Sequence, residues 1–156
     1  MMDTAAAFPS HLTEQQCIVQ ASAFYKANPL LVQAVRVTEN GRAGKVSKNT
    51  NGSVDIAEMQ INSVHLPSLA KFGITMDMLL RDTCLNIHIG TYLLQREINR
   101  AADFWTGVGN YHSKTPSKNQ AYRYRVWGNL QKLQHQYAQR LQTAQYAQQY
   151  QFGGAQ

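Results

Sequence analysis

Apolar residues recur at helical spacing through most of this chain, and the least regular segment runs from Arg42 to Val54. Helical spacing puts apolar side chains on one face of each segment, and that face must be buried against another element. A chain of 156 residues is one domain's worth and long enough for a real core. The expected fold is therefore mainly α, with the irregular stretch folded back as a polar loop or small hairpin lining a cleft.

Local signals place the helices. Thr13-Glu-Gln-Gln16 is a capping box, followed by Cys17, Ile18, Ala21, Phe24 and Tyr25 at helical spacing. It predicts a first helix from Glu14 to about Ala27. Asn28-Pro29 restarts the chain, Asn as N-cap and Pro at the first helical position. Leu30, Leu31, Ala34, Val35 and Thr38 then form one face of a second helix, and Asn40-Gly41 ends it, with Gly41 expected in the left-handed position. Glu39 falls in its last turn. The negative end of a helix dipole disfavours a carboxylate there, so an acid near apolar neighbours should have a raised pKa. A solvated glutamate at a helix end is the plain alternative.

Asn49-Thr-Asn-Gly-Ser53 carries an Asn-Gly turn signal. Asp55 reads as the cap of a short helical turn carrying Ile56, Met59 and Gln60. Ser63 to Phe72 with Gly73 as a stop, a short helix begun by Thr75 or Asp77, and a long helix capped by Asp82 follow. A short helix over Phe104–Tyr111 breaks at Ser113-Lys-Thr-Pro116. A last helix begins near Asn119 and reaches about Gln149. Its end is rich in Gln, Ala and Tyr, which reads as a helical extension fraying into disorder, with a partner-docking segment as the alternative.

The net charge of +6 suits a polyanion: nucleic acid, membrane surface or cell-wall polymer. Lys and Arg are scattered, and no C2H2 spacing, RNP-like motif or basic recognition helix is present, so nucleic-acid binding is not the expected main role. No apolar run approaches the roughly 20 residues of a membrane span. The five histidines show no ligand spacing, and neither metal nor cofactor is expected. The first residues, MMDTAAAFPSHL, have neither a basic nor a long apolar region of a signal peptide. Cys17 and Cys84 allow one disulfide, and two buried free thiols fit equally.

Three ordered blocks resemble one family. Leu30–Asn40, LLVQAVRVTEN, resembles an apolar helix ending in a catalytic glutamate plus a small polar residue. Ser47–Asn62, SKNTNGSVDIAEMQIN, resembles the pattern Asn-x-Asn-Gly-Ser-x-Asp-Ile-Gly-x-Met-Gln-Ile-Asn. Val108–Pro116, VGNYHSKTP, followed by Tyr122 and Val126, is similar to a Tyr-His-Ser variant of an Ala-Tyr-Asn motif. Together these resemble the specialised lytic transglycosylases of secretion and conjugation systems, the VirB1-like and IpgF-like proteins, which carry a lysozyme-like SLT domain.

The resemblance implies that Glu39 is catalytic and that Ser47, Asp55, Met59, Gln60, Asn62 and Tyr111 line the sugar groove. It implies cleavage of peptidoglycan glycan strands between N-acetylmuramic acid and N-acetylglucosamine, giving 1,6-anhydromuramyl ends. It also implies partners in a secretion or conjugation apparatus, a Cys17–Cys84 disulfide, and a periplasmic location with the signal removed. The expected organisation is a flexible leader over 1–12, the transglycosylase domain over 13–130, and a Gln-rich extension and tail over 131–156. Asp55 carries a second reading: facing Glu39 it would complete a lysozyme-type hydrolase pair. A non-catalytic wall-binding assembly factor is a further alternative. The chain departs from the family at Ala57, where glycine is usual, and at Glu58, an uncommon acid so near a cleft. If position 57 takes a positive φ or a close backbone approach, alanine costs stability there.

Overall fold

The computed structural model describes residues 11–152. Most of the leader expected over 1–12 lies outside them, as do residues 153–156. The elements run α1 (Glu14–Tyr25), α2 (Pro29–Glu39), β1 (Val46–Lys48), β2 (Val54–Ile56), β3 (Ile61–Asn62), a 3-10 turn (Ser63–His65), α3 (Leu66–Ala70), α4 (Met76–Arg81), α5 (Thr83–Arg100), α6 (Phe104–His112) and α7 (Pro116–Phe152). The fold is mainly α with a small antiparallel sheet, as the periodicity predicts.

The caps explain where the helices start. Thr13 and Gln16 form the reciprocal capping box of α1. The Asn28 side chain accepts from the backbone of Leu30 and Leu31 to open α2. Thr75 and Asp82 cap α4 and α5 in the same way. Each such cap is worth about 1 kcal/mol. Two ends differ from expectation. Helix α1 stops at Tyr25 because Lys26 takes the left-handed conformation. At the end of α2 the left-handed residue is Asn40, with φ 50°. Gly41 is needed for another reason: a Cβ there would overlap the backbone carbonyl of Ala57.

Helix α5 is the centre. It is buried nearly all round, through Cys84, Leu85, Ile87, Leu93 and Leu94 among others. Helices α1, α4 and α6 pack on it, and α7 packs on α2 and α6. Val32, Val35, Ile87, Leu94, Val108 and Val126 are fully enclosed in the core, each contributing roughly 1.5–3 kcal/mol. A disulfide joins Cys17 of α1 to Cys84 of α5. Closing a loop of 67 residues this way stabilises the fold by on the order of 4 kcal/mol. No helix among the described residues is long and apolar enough to cross a membrane.

The irregular stretch forms a hairpin and a third strand. Asp55 pairs with Ser47 on one side and with Asn62 on the other. Directly opposed residues share a face of the sheet, so Ser47, Asp55 and Asn62 form one row. Asp55 is thus a strand residue, not the cap of a helical turn. Extended backbone on either side of it wins because both its neighbours in the sheet supply ladder partners. Residues 57–60, expected to continue a helical turn, make a tight bend in which Ala57 and Gln60 have φ of 56° and 48°.

Asn86 of α5 holds that bend in place. It is fully buried. Its Oδ1 accepts from the Met59 N–H at 2.8 Å, and its Nδ2 donates to the carbonyls of Ile56 and Leu79, each at 3.1 Å. One side chain thereby satisfies two backbone groups of the segment that carries the site and one of α4.

Candidate active site

Glu39 ends α2 half-buried, where the helix meets the hairpin and the first turns of α7. Burial, the largest cause, raises its pKa from the ordinary 4.5 to about 7, and the nearby Asp55 charge pushes the same way. The Tyr122 hydroxyl, Arg125 and Lys45 oppose the rise. The carboxyl is therefore poised to hold or release a proton near neutrality.

Tyr122 of α7 donates its hydroxyl to Glu39 Oε1 at 2.6 Å. Burial and the Glu39 charge hold the Tyr122 pKa well above its usual 10. The phenol stays protonated at neutral pH and is the donor in this bond. When Glu39 is protonated its proton consequently resides on Oε2, the oxygen Tyr122 leaves free. The His112 ring stacks on Tyr122 at 4.8 Å with planes 6° apart. Burial first, and Arg125 next, lower the His112 pKa, so the stacked imidazole is neutral at neutral pH.

Asp55 is held from both sides. Asn49 Nδ2 donates to its Oδ2 at 3.1 Å, and Asn62 Nδ2 donates to its Oδ1 at 2.9 Å. Asn62 Nδ2 also reaches Ser53 Oγ at 3.0 Å. The hairpin thus presents a fixed anion whose charge reaches Glu39, Tyr111 and His112. Tyr111 of α6 donates its hydroxyl to the Met59 carbonyl at 2.7 Å. Its pKa is raised, by burial first and then by the charges of Glu39 and Asp55.

The residues expected at the site fall into two groups. Glu39, Asp55 and Tyr111 act on one another electrostatically, and Ser47 and Asn62 flank Asp55 in the sheet. Met59 and Gln60 are placed differently. The Met59 side chain is fully enclosed and packs on Gly90 of α5, so it presents backbone rather than side chain. The Gln60 amide donates to the Ala57 carbonyl at 2.8 Å and stiffens the bend.

Position 57 meets both conditions that favour glycine. Ala57 has positive φ, and its carbonyl lies against Gly41. Glu58 does not face solvent. It is buried, and its Oε1 accepts from Thr83 Oγ1 at 2.6 Å at the N-terminus of α5. The charges acting on Glu39 are those of Asp55, Arg125 and Lys45, and Glu58 is not among them.

The sequence that builds this site matches known proteins. The family model of the Transglycosylase SLT domain matches residues 16–144. The chain belongs to the transglycosylase SLT domain family. As a member of it, the protein is a peptidoglycan lytic transglycosylase. It is 31% identical over 122 residues to Invasion protein IagB of Salmonella typhimurium, covering 75% of this chain and 76% of that protein. To Protein IpgF of Shigella flexneri it is 32% identical over 117 residues, 74% of this chain and 77% of that protein. A Peptidoglycan-binding-like protein of Escherichia coli O157:H7 is 34% identical over 115 residues, 69% of each chain.

Sequence reasoning missed several residues of this SLT domain that touch the site. Tyr122 entered only as the residue that follows the third block of the resemblance, with no role at the site. The available signal was its hydroxyl, because a buried phenol needs a partner. Arg125, three positions further, lies over the Tyr122 ring at 5.6 Å. Asn49 and Asn86 carry no local signal of their roles, since each acts through groups far along the chain or across the hairpin.

Proposed function

We propose that this SLT-family protein cleaves the β-1,4 bond between N-acetylmuramic acid and N-acetylglucosamine without water, leaving 1,6-anhydromuramyl ends. Glu39 is the acid and then the base. Its Oε2–H protonates the glycosidic oxygen as the C1–O bond breaks. The substrate's N-acetyl group shields the positive charge at C1, the substrate-assisted exception to the two-carboxylate rule. The Glu39 carboxylate then takes the proton of the muramyl C6 hydroxyl while O6 bonds to C1. The proton is back on Glu39 and no water has been consumed. Ser47, Asn62 and the backbone of the Met59–Gln60 bend line the groove, with Tyr111 bracing that bend.

The observation that carries this reading is the single half-buried carboxyl at about pKa 7, clamped through one oxygen by Tyr122. A second reading, hydrolysis, is favoured by one observation: Asp55 is a fixed carboxylate whose charge reaches Glu39. Digestion in water enriched in heavy oxygen separates the two. Hydrolysis places the label at C1 of the new end, and the non-hydrolytic route leaves the fragments unlabelled.

The reaction serves local opening of the wall for assembly of a secretion or conjugation apparatus, in the periplasm. Support comes from the resemblance to the specialised transglycosylases, from a relative named as an invasion protein, and from the disulfide, which suits an oxidising compartment. Retention of a tagged chain in the periplasmic fraction tests the location, and its recovery only from cytosol would contradict it.

A further inference from the structure

The net charge of the protein is confined to its last third. Residues 1–103 carry nine acidic and nine basic side chains, whereas residues 104–156 carry six basic ones and no acid. Two of the six have polar side-chain partners. Lys114 pairs with Glu97 at 3.7 Å, and Arg123 donates to Thr106 Oγ1. The other four, Lys118, Arg125, Lys132 and Arg140, all lie on α7 at steps of seven, seven and eight residues. At 3.6 residues per turn these steps confine them to an arc of about 80° along about 33 Å of helix. All four are exposed, and none is in an ion pair among the described residues.

The stripe starts at the candidate active site. Arg125 lies over the ring of Tyr122 and its charge acts on Glu39. Lys118 and Arg125 both act on His112. From there Lys132 and Arg140 carry the stripe along the exposed length of α7. We infer that this ridge binds the carboxylates of the peptides attached to the glycan, so that the enzyme recognises peptide-bearing strands rather than bare sugar. The inference rests on the reading of Glu39 as the peptidoglycan-cleaving acid, because it takes the occupant of the cleft to be the chain whose side branches reach α7.

The spacing argues for this class of anion. Successive cations are about 10.5 Å apart along the helix, comparable with one β-1,4-linked disaccharide, the unit that carries one peptide. Duplex DNA offers one charge per roughly 1.7 Å of axis, far denser than this stripe. A glycan that bears carboxylates only on its peptides matches a sparse row.

The test is binding, in a Glu39→Gln background so that the polymer stays intact. Co-sedimentation with purified sacculi compares this parent with a Lys132→Gln/Arg140→Gln derivative, helix content being checked by circular dichroism. The derivative should bind intact sacculi about three- to tenfold more weakly, as loss of two exposed charge contacts implies, with a shallower salt dependence. Sacculi stripped of peptides by an amidase should bind the parent at least as weakly as intact sacculi bind the derivative, which keeps Lys118 and Arg125. Equal binding of both proteins to intact sacculi would overturn the ridge, as would parent binding that ignores the stripping. So would tighter binding to DNA or anionic vesicles than to sacculi, lost in the derivative. Wild-type cleavage of stripped glycan is scored separately. The ridge can fail with that cleavage intact, whereas failure to cleave or bind any wall polymer would count against the function itself.

Discussion

The Tyr122 hydroxyl and Glu39 Oε1 meet at 2.6 Å although 83 positions separate them in the chain. The bond joins α7 to the end of α2 and settles which carboxyl oxygen carries the proton. Tyr122→Phe keeps the ring, its stacking on His112 and its burial, and removes only the donor. The variant should fold normally and lose activity about ten- to a hundredfold, the effect of one hydrogen bond to a charged group. Because that bond lowers the Glu39 pKa, the activity that survives should persist to higher pH than in wild type. Unchanged rates at every pH would show that Tyr122 does not position the acid.

Asp55 raises the Glu39 pKa, so its neutralisation has a signed effect. In Asp55→Asn the alkaline loss of activity should move to lower pH, with kcat below that limb largely retained. If Asp55 were instead an obligatory partner in hydrolysis, activity would fall at all pH values. Asn49 and Asn62 both donate to Asp55, so asparagine leaves one donor facing another. A modest drop in thermal stability should accompany the shift.

The same burial predicts a stability effect. The folded-state pKa of Glu39 is about 7 against an ordinary 4.5. A raised carboxyl pKa contributes to stability fully below about 4.5, and that contribution is lost as pH rises through about 7. Above neutrality the ionised carboxylate weighs against the fold. Glu39→Gln should therefore gain over wild type as pH increases, with a ceiling of roughly 3 kcal/mol, brought down to on the order of 1–2 by water at a half-buried site. Melts at pH 4 and pH 8.5 check this. A variant-to-wild-type difference that is the same at both would contradict it.

At the bend, two small residues should respond oppositely. Gly41→Ala puts a methyl onto the Ala57 carbonyl, which is backbone and has little freedom to retreat. It should destabilise by about 3 kcal/mol or more, within the range of severe overpacking. Ala57→Gly relieves a positive φ at a buried position and should be neutral to about 1 kcal/mol stabilising. Denaturant titrations measure both, and a stable Gly41→Ala would show that α2 and the bend are not in close contact.

The helices were legible because their signals are local: a capping box at Thr13, Asn28-Pro29, Thr75 and Asp82 each bind backbone within a turn. Glu39 was singled out by the block LLVQAVRVTEN, because the helix-end position alone fits a solvated glutamate equally well, and the burial that raises its pKa depends on elements distant in the chain. The fate of Asp55 was not, since choosing strand over helical turn depends on partners at Ser47 and Asn62 in the sheet. Tyr122 was hidden for a related reason. Helical spacing says which face is buried, and it does not say that a hydroxyl on that face finds an acid from another helix. The direction of Glu58 was equally unreadable, because the N-terminus that receives it begins at Thr83.

The central claim is that one carboxyl, Glu39, performs both proton transfers. Mass spectrometry of fragments released from purified peptidoglycan by wild type and by Glu39→Gln tests it most directly. Anhydromuramyl ends from wild type, absent with a folded Glu39→Gln protein, are the predicted result. Anhydromuramyl fragments released undiminished by Glu39→Gln would contradict it.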